Sequence, residues 1–279
     1  MRELTWQTAA GAQFPLSSDT VMVLHGGSGF GSPPIEWFDD APPSGDGTRL
    51  RTVRYGAREV TVPLLVHGDT TAEVAKWASR FDPRAGSGFL VSNDRRLPCR
   101  FIGGIESAEE RSRGFREVAG VFRAFDPFWE DVNPNVSVAQ VDAIAFLSSG
   151  SQEPWFPWQT VEVDVQGGFT VTNDGDDAAF PVWTVQGPGG PVTLVNITTG
   201  ETLEVDTVLS AGQQLHIDTR PDVKTVVGPA GVNLWPQVTD PSTLWPLPRG
   251  SQTVQVQIVD AVAGETQVRL EWRRRWLSA

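Results

Sequence analysis

Cysteine is almost absent from this chain: Cys99 stands alone among 279 residues. A single thiol excludes an internal disulfide and a cysteine-based metal site, so nothing here requires an oxidising compartment. Histidine is nearly as scarce. His25, His67 and His216 are far apart, and none has a second histidine three to five residues away to start a zinc site. Long apolar runs are missing as well. The longest, such as Ala143 to Leu147, fall far short of the ~18 residues of a membrane span. The opening MRELTWQTAAGAQFPL lacks the apolar core of a signal peptide. A soluble protein, made in the cytoplasm, is the expectation. Basic residues are few: 22 Lys and Arg face 34 Asp and Glu, for a net charge of −12. That balance repels phosphate backbones and excludes general nucleic-acid recognition.

What is present reads as an ordered, turn-rich β protein. Residues 25 to 47, HGGSGFGSPPIEWFDDAPPSGDGT, are loop chemistry interrupted by the apolar patch Ile35-Glu36-Trp37-Phe38. Loops of this length usually have a task. In REVTVPLLVH, Val60, Val62, Leu64 and Val66 recur with the period of a half-buried strand, and Pro63 on the other face suggests an edge. One helix is predicted in TTAEVAKWASRF. Thr70 would cap it, Glu73 completes a capping box, and Val74, Trp77, Ala78 and Phe81 form one apolar stripe. Strands follow in FLVS, after the Asn93-Asp94 turn in LPCRFIGGIES, and in FREVAGVFRAF, which runs into the corner Asp126-Pro127-Phe128-Trp129.

Residues 1–132 thus read as an α+β domain, a sheet with one helix. The poorer stretch 133–152 reads as a linker, and 153–279 as strands alone, an antiparallel sandwich. Near its end, LEWRRRWLSA carries the one basic cluster. In a continuous strand, Arg273 and Arg275 would share one face, opposite Arg274, Trp272 and Trp276. A solvated edge is the expectation there, and a contact to an acidic neighbour is the sharper alternative.

Catalytic patterns fail one by one. The run His25-Gly26-Gly27-Ser28-Gly29-Phe30-Gly31 lacks the Lys-Ser/Thr of a phosphate loop, and no nucleophile elbow accompanies its esterase-like HGGSG. NDGDD at 173–177 has the wrong spacing for a calcium loop, whose closing Glu would fall on Val185, and reads as a hairpin turn. Asp126 and Glu130-Asp131 are the first candidates for a glycosidase pair, yet Asp before Pro at a strand exit is ordinary turn chemistry. No enzyme activity, metal or cofactor is expected. The count that stands out is 11 Trp against one Tyr. Sandwich core, sugar stacking and subunit contact compete to explain it. Trp235 and Trp245, each followed by Pro in loop-like sequence, are the candidates for peripheral contact.

Several stretches together resemble the distal tail proteins of long-tailed bacteriophages, the siphovirus-type tail component family. They are GSGFGSPP, REVTVPLLVHGDTTAEVAKWASRF, RFIGGIESAEE and FRAFDPFW, then NDGDDAAFPVWTVQGPGG, VNITTGETLEVD, LSAGQQLHIDT, GVNLWPQVTDPSTLWPLPRGSQTVQV and VRLEWRRRWLSA. The resemblance implies a ring, typically a homohexamer, between the tail tube and the baseplate hub of the virion tail tip. It further implies a ring-forming N-terminal domain and a galectin-like β-sandwich that can carry receptor-binding or other peripheral proteins. Asp126, Pro127, Phe128 and Trp129 would then anchor the corner between domains. Gly26, Gly27, Gly29, Phe30, Trp37 and Phe38 would form an assembly loop. The His-Asn-Arg, Asn, Trp-Glu-Arg set of sugar-binding galectins does not align, so lectin activity does not follow from the fold. A carbohydrate-binding adsorption protein using exposed Trp residues is the alternative.

Overall fold

The computed structural model describes residues 3–41, 43–82, 84, 86–104, 110–112, 114–140 and 165–279. The chain divides into two compact units, Met1–Asn133 with Arg275–Ala279, and Pro134–Arg274. Each has its own apolar core. Among the described residues the protein is mainly β with a single α-helix, the class expected from its patterning.

The first unit holds β1 (Leu4–Gln7), β2 (Gln13–Pro15), β3 (Val21–Val23), β4 (Ile35–Asp40), β5 (Arg49–Tyr55), β6 (Arg58–His67), α1 (Thr70–Arg80), β7 (Gly88–Ser92), β8 (Arg95–Gly103), β9 (Glu110–Ser112), β10 (Phe115–Ala124) and β11 (Trp129–Asp131). The main sheet runs β2-β1-β7-β8-β10-β6-β3, with β9 on β10 and β11 on β8. In β6 the period-two residues Val60, Val62, Leu64 and Val66 are all buried, as their alternation requires. Pro63 does not mark an edge strand, because β6 lies between β10 and β3. Instead β3 stops at Val23 opposite Leu64. Just past that end, the Pro63 carbonyl accepts from Leu24 N at 2.9 Å, and no N–H is needed.

The helix is capped by Asp69, whose carboxylate accepts from Ala72 N at 3.1 Å, and not by Thr70 as the sequence suggested. A charged cap also meets the positive end of the helix dipole. The apolar stripe then delivers Trp77 and Phe81 to the core. Phe81 packs edge-on to Trp6 at 5.5 Å and to Phe122 at 5.2 Å, and stacks on Phe101 at 5.1 Å.

The second unit holds β12 (Asn135–Gln140), β13 (Val165–Asn173), β14 (Val182–Gln186), β15 (Val192–Asn196), β16 (Glu201–Val205), β17 (Gln214–Asp218), β18 (Thr225–Val227), β19 (Gly250–Ile258) and β20 (Gln267–Trp272). They form two antiparallel sheets, β12-β20-β14-β17-β18 and β13-β19-β15-β16. One core takes Trp183, Ile217 and Leu270 from the first sheet and Leu194, Leu203 and Val256 from the second, which makes a sandwich. The NDGDD run is a side-chain-locked turn. Asn173 Oδ1 accepts from Gly175 N at 3.1 Å, while its Nδ2 donates to Leu247 O at 2.9 Å.

Two boundaries differ from the sequence reading. The stretch 133–152, expected as a linker, contains β12, which pairs along its length with β20. Residues 141–152 of that stretch lie outside the described residues, as do Trp155 and Trp158. After Trp272 the strand breaks, and β21 (Arg275–Trp276) belongs to the first unit, where it pairs with β11.

Candidate functional site

The corner begins where β10 ends at Ala124. Asp126 Oδ1 accepts from Phe128 N at 3.3 Å, a local turn that redirects the chain into β11. Of the four rings in FRAFDPFW, Phe122, Phe128 and Trp129 are buried and Phe125 is exposed. The ring-dense corner is therefore chiefly packing, and its partner is the returning segment 275–279.

Two contact series run through it. In the first, Arg275 donates to Asp126 Oδ1 at 2.6 Å and lies 4.1 Å from the centre of the Phe128 ring. Phe128 in turn meets Tyr55 edge-on at 5.5 Å, at the foot of the β4–β5 hairpin. In the second, Trp276 pairs with Trp129 across β11–β21 and donates to Asp131 Oδ1 at 3.0 Å. Trp129 stacks on Phe30 at 6.1 Å, and Phe30 O accepts from Ala279 N at 3.0 Å. Arg275 is thus buried against an acid, not on a solvated edge. The two-residue break after β20 lets it turn inward, which a continuous strand through residues 272–276 would not allow.

Arg58 closes the second series. It is 1% exposed, with Nη1 donating to Gly29 O at 3.0 Å and Nη2 to Leu277 O at 2.6 Å. Burial lowers its pKa to about 10, so it stays charged at neutral pH. Gly29 is held here for a steric reason. Its φ is 85°, and a Cβ would run into the Glu59 carbonyl oxygen.

The residues of the expected assembly loop therefore fall into three settings. Gly29 and Phe30 are pinned inside the unit by Arg58, Trp129 and Ala279. Gly26 and Gly27 line an open cavity of about 430 Å³ with Leu4, His25 and Pro63 among its other walls. Trp37 and Phe38, read as part of a loop, lie on β4, and the antiparallel β4–β5 pair is a separate two-stranded sheet. Its register puts Ile35 opposite Tyr55 and Trp37 opposite Val53 on one face. The other face is mostly charged and carries Phe38, with Arg54 bonded to Glu36 at 2.6 Å and lying 4.8 Å from the Phe38 ring, and with Arg51 paired to Asp40. Trp37 is 63% exposed, and its apolar neighbours on that face are exposed with it.

The acids that could have served a glycosidase are committed to structure. Asp126 holds Arg275, Glu130 holds Arg96 at 3.1 Å, and Asp131 holds the Trp276 indole. Among the described residues no three His, Cys, Asp or Glu side chains gather to hold a metal. Burial pushes the Cys99 thiol up to about 12, which leaves it unreactive. The two Trp-Pro candidates also part company. Trp235 is 46% exposed, whereas Trp245 is 1% exposed and packs edge-on to Trp183 at 5.4 Å in the sandwich core, so it is not a peripheral contact.

No family model and no curated protein matches the sequence. Among solved structures, the Dit protein (gp 19.1) of phage SPP1 is similar over 98% of both chains, with a TM-score of 0.68 at 14% identity. It is described as a paradigm of the hub adsorption apparatus in phages that infect Gram-positive bacteria. Chains of the phage p2 baseplate in its activated conformation, with Ca and with Sr, are similar over 98% of both chains. Their TM-scores are 0.58 at 11% and 12% identity. From end to end, then, this chain has the fold of a phage Dit protein and of a phage baseplate chain.

Proposed function

We propose that this chain is a structural subunit of a phage tail baseplate, forming a ring, by family pattern a hexamer, between the tail tube and the hub. The observation that carries the reading is the likeness to the SPP1 Dit protein over nearly the whole of both chains. The hairpin supplies the physical means. An isolated two-stranded sheet is marginal in water, and this one has no third strand among the described residues. Its apolar face offers on the order of 500 Å², comparable to the functional patches of monomers and a large part of the ~800 Å² per side of a standard interface. By contrast the end strands β2 and β3 of the main sheet are three residues long, too short to template much pairing. A ring needs two different surfaces per copy, and the hairpin is one of them. The sandwich is free to carry peripheral proteins.

Mass photometry and particle imaging of the purified protein test this reading. A ring-sized species, or a monomer that is incorporated into assembled tails, is expected. A monomer absent from assembled tails overturns it. Of the two Trp-Pro candidates, the carbohydrate-binding alternative keeps Trp235, since Trp245 is core. Titration against host wall polysaccharide with Trp235→Ala as control separates the two.

A further inference from the structure

Two separate segments carry the exposed assembly candidates of the first unit: the 26–31 loop and the 35–55 hairpin. Both are tied, through different rings of the same corner, to residues that the chain reaches only after the sandwich. We infer that Arg58, Phe128 and Trp129 are positioning residues through which the 275–279 segment sets both surfaces, each by its own route. This rests on the reading above in one respect only, that these surfaces serve assembly.

The hairpin route is Arg275 to Phe128 to Tyr55, a cation 4.1 Å from the Phe128 ring centre and then an edge-on ring pair at 5.5 Å. Without Arg275, Phe128 loses the group covering it and Asp126 loses a charged donor. The loop route is Leu277 O to Arg58 to Gly29 O, with Ala279 N on Phe30 O and Trp276 on Trp129 beside it. Arg58 is the decisive member. A buried guanidinium must find acceptors, and among the described residues those that it has are two main-chain carbonyls from segments 248 residues apart (277 − 29). Its Nε has no partner among the described residues, so it holds no spare bond to offset the loss of one. Undocking the returning segment leaves a buried cation under-bonded, and the Gly29 loop then opens to let water in.

The order of synthesis gives this a consequence. Residues 134–274 must be made before Arg275 exists, which at ribosomal rates takes roughly 10–30 s. During that time the hairpin and loop lack their supports, so neighbouring nascent chains do not present finished assembly surfaces to each other. The surfaces become defined only once the whole sandwich has been made.

Segment-resolved hydrogen exchange on full-length protein tests the inference. Two amides report directly: Gly56 N, which donates to Pro34 O at the hairpin foot, and Ser28 N, which donates to Thr61 O. Arg275→Ala should speed exchange around Gly56 by about tenfold, and Arg275→Lys should restore part of the protection, with β7, α1 and the sandwich unchanged. Arg58→Met, which removes the buried charge at similar length, should loosen the Ser28 region and leave the Gly56 region protected. Equal loosening across the whole first unit in both variants, or no change at either amide, overturns the inference. If Arg58→Met fails to fold, the Arg275 pair alone decides it. Mass photometry of the same samples, with Trp37→Ala alongside, separates the two levels. If exchange shifts as stated while neither Arg275→Ala nor Trp37→Ala alters oligomer formation, the coupling stands and the assembly role of the hairpin falls.

Discussion

Among single side chains, Trp129 is the fully buried ring of the corner. It pairs with Trp276 and stacks on Phe30. Trp129→Ala removes a large ring from a site bounded by two strands and a pinned loop, which limits how far the gap can collapse. The expected loss is about 4 kcal/mol of stability in the first unit, read by urea unfolding; an unchanged midpoint would show the corner to be dispensable. In the sandwich, Asp218 provides a titratable test. Burial alone would raise its pKa, but hydrogen bonds and charge from Arg220, helped by His216, hold it below the ordinary carboxylate value. The folded state therefore favours the charged form. That contribution is complete above about pH 4 and fades as pH falls through the lowered folded value. Asp218→Asn should be less stable than wild type by about 1 kcal/mol at pH 7, since half of the Arg220 side chain is open to solvent. The gap should narrow at pH 3, and a gap that widened there would contradict the assigned cause.

At the level of elements, the hairpin makes the clearest prediction. Replacing Trp37 by Lys puts a charge in the middle of the apolar face without touching the Tyr55–Phe128 foot. The midpoint concentration for ring formation should rise at least tenfold while the thermal transition stays within about 1 °C, because a surface change of this kind costs little in the monomer. Sequence pattern revealed β6 and α1 well, because each buries one side and so repeats with its own period. The hairpin is not legible in the sequence for the opposite reason. Both its faces are open among the described residues, so no burial alternation marks it, and the flanking Gly, Pro and Asp read as loop. Nor could β21 be read locally. Its meaning lies in pairing Trp276 with Trp129, and the only trace was an Arg cluster late in the chain and an acid-rich corner midway. The two LWP stretches were indistinguishable by composition. Only the fold buries Trp245 on Trp183 and leaves Trp235 outside.

For the whole molecule, the proposed assembly would be governed by the balance between charge and apolar contact. Each carries a net charge of −12. Placed in a ring, such copies repel, over a Debye length near 30 Å at 0.01 M salt but only about 8 Å at 0.15 M. The hairpin is an exception to that acidity. Between Ile35 and Tyr55 it sets Glu36, Asp39, Asp40 and Asp46 against Arg49, Arg51 and Arg54, close to neutral. Its apolar face can therefore approach another copy without adding much to the repulsion. Salt screens the repulsion and leaves apolar burial intact, and cooling weakens the apolar part. Two independent trends follow for purified protein at fixed concentration. Raising NaCl from about 20 to 500 mM should increase the oligomeric fraction, and cooling from 25 to 5 °C at constant salt should lower it. Both are readable by mass photometry or sedimentation velocity. Trp37→Lys should abolish the temperature trend at every salt concentration, since it removes the apolar contact and leaves the net charge nearly as it was. Dissociation on adding salt would instead mean that copies meet through complementary charges. The contact surface would then have to be sought away from the apolar face of the hairpin.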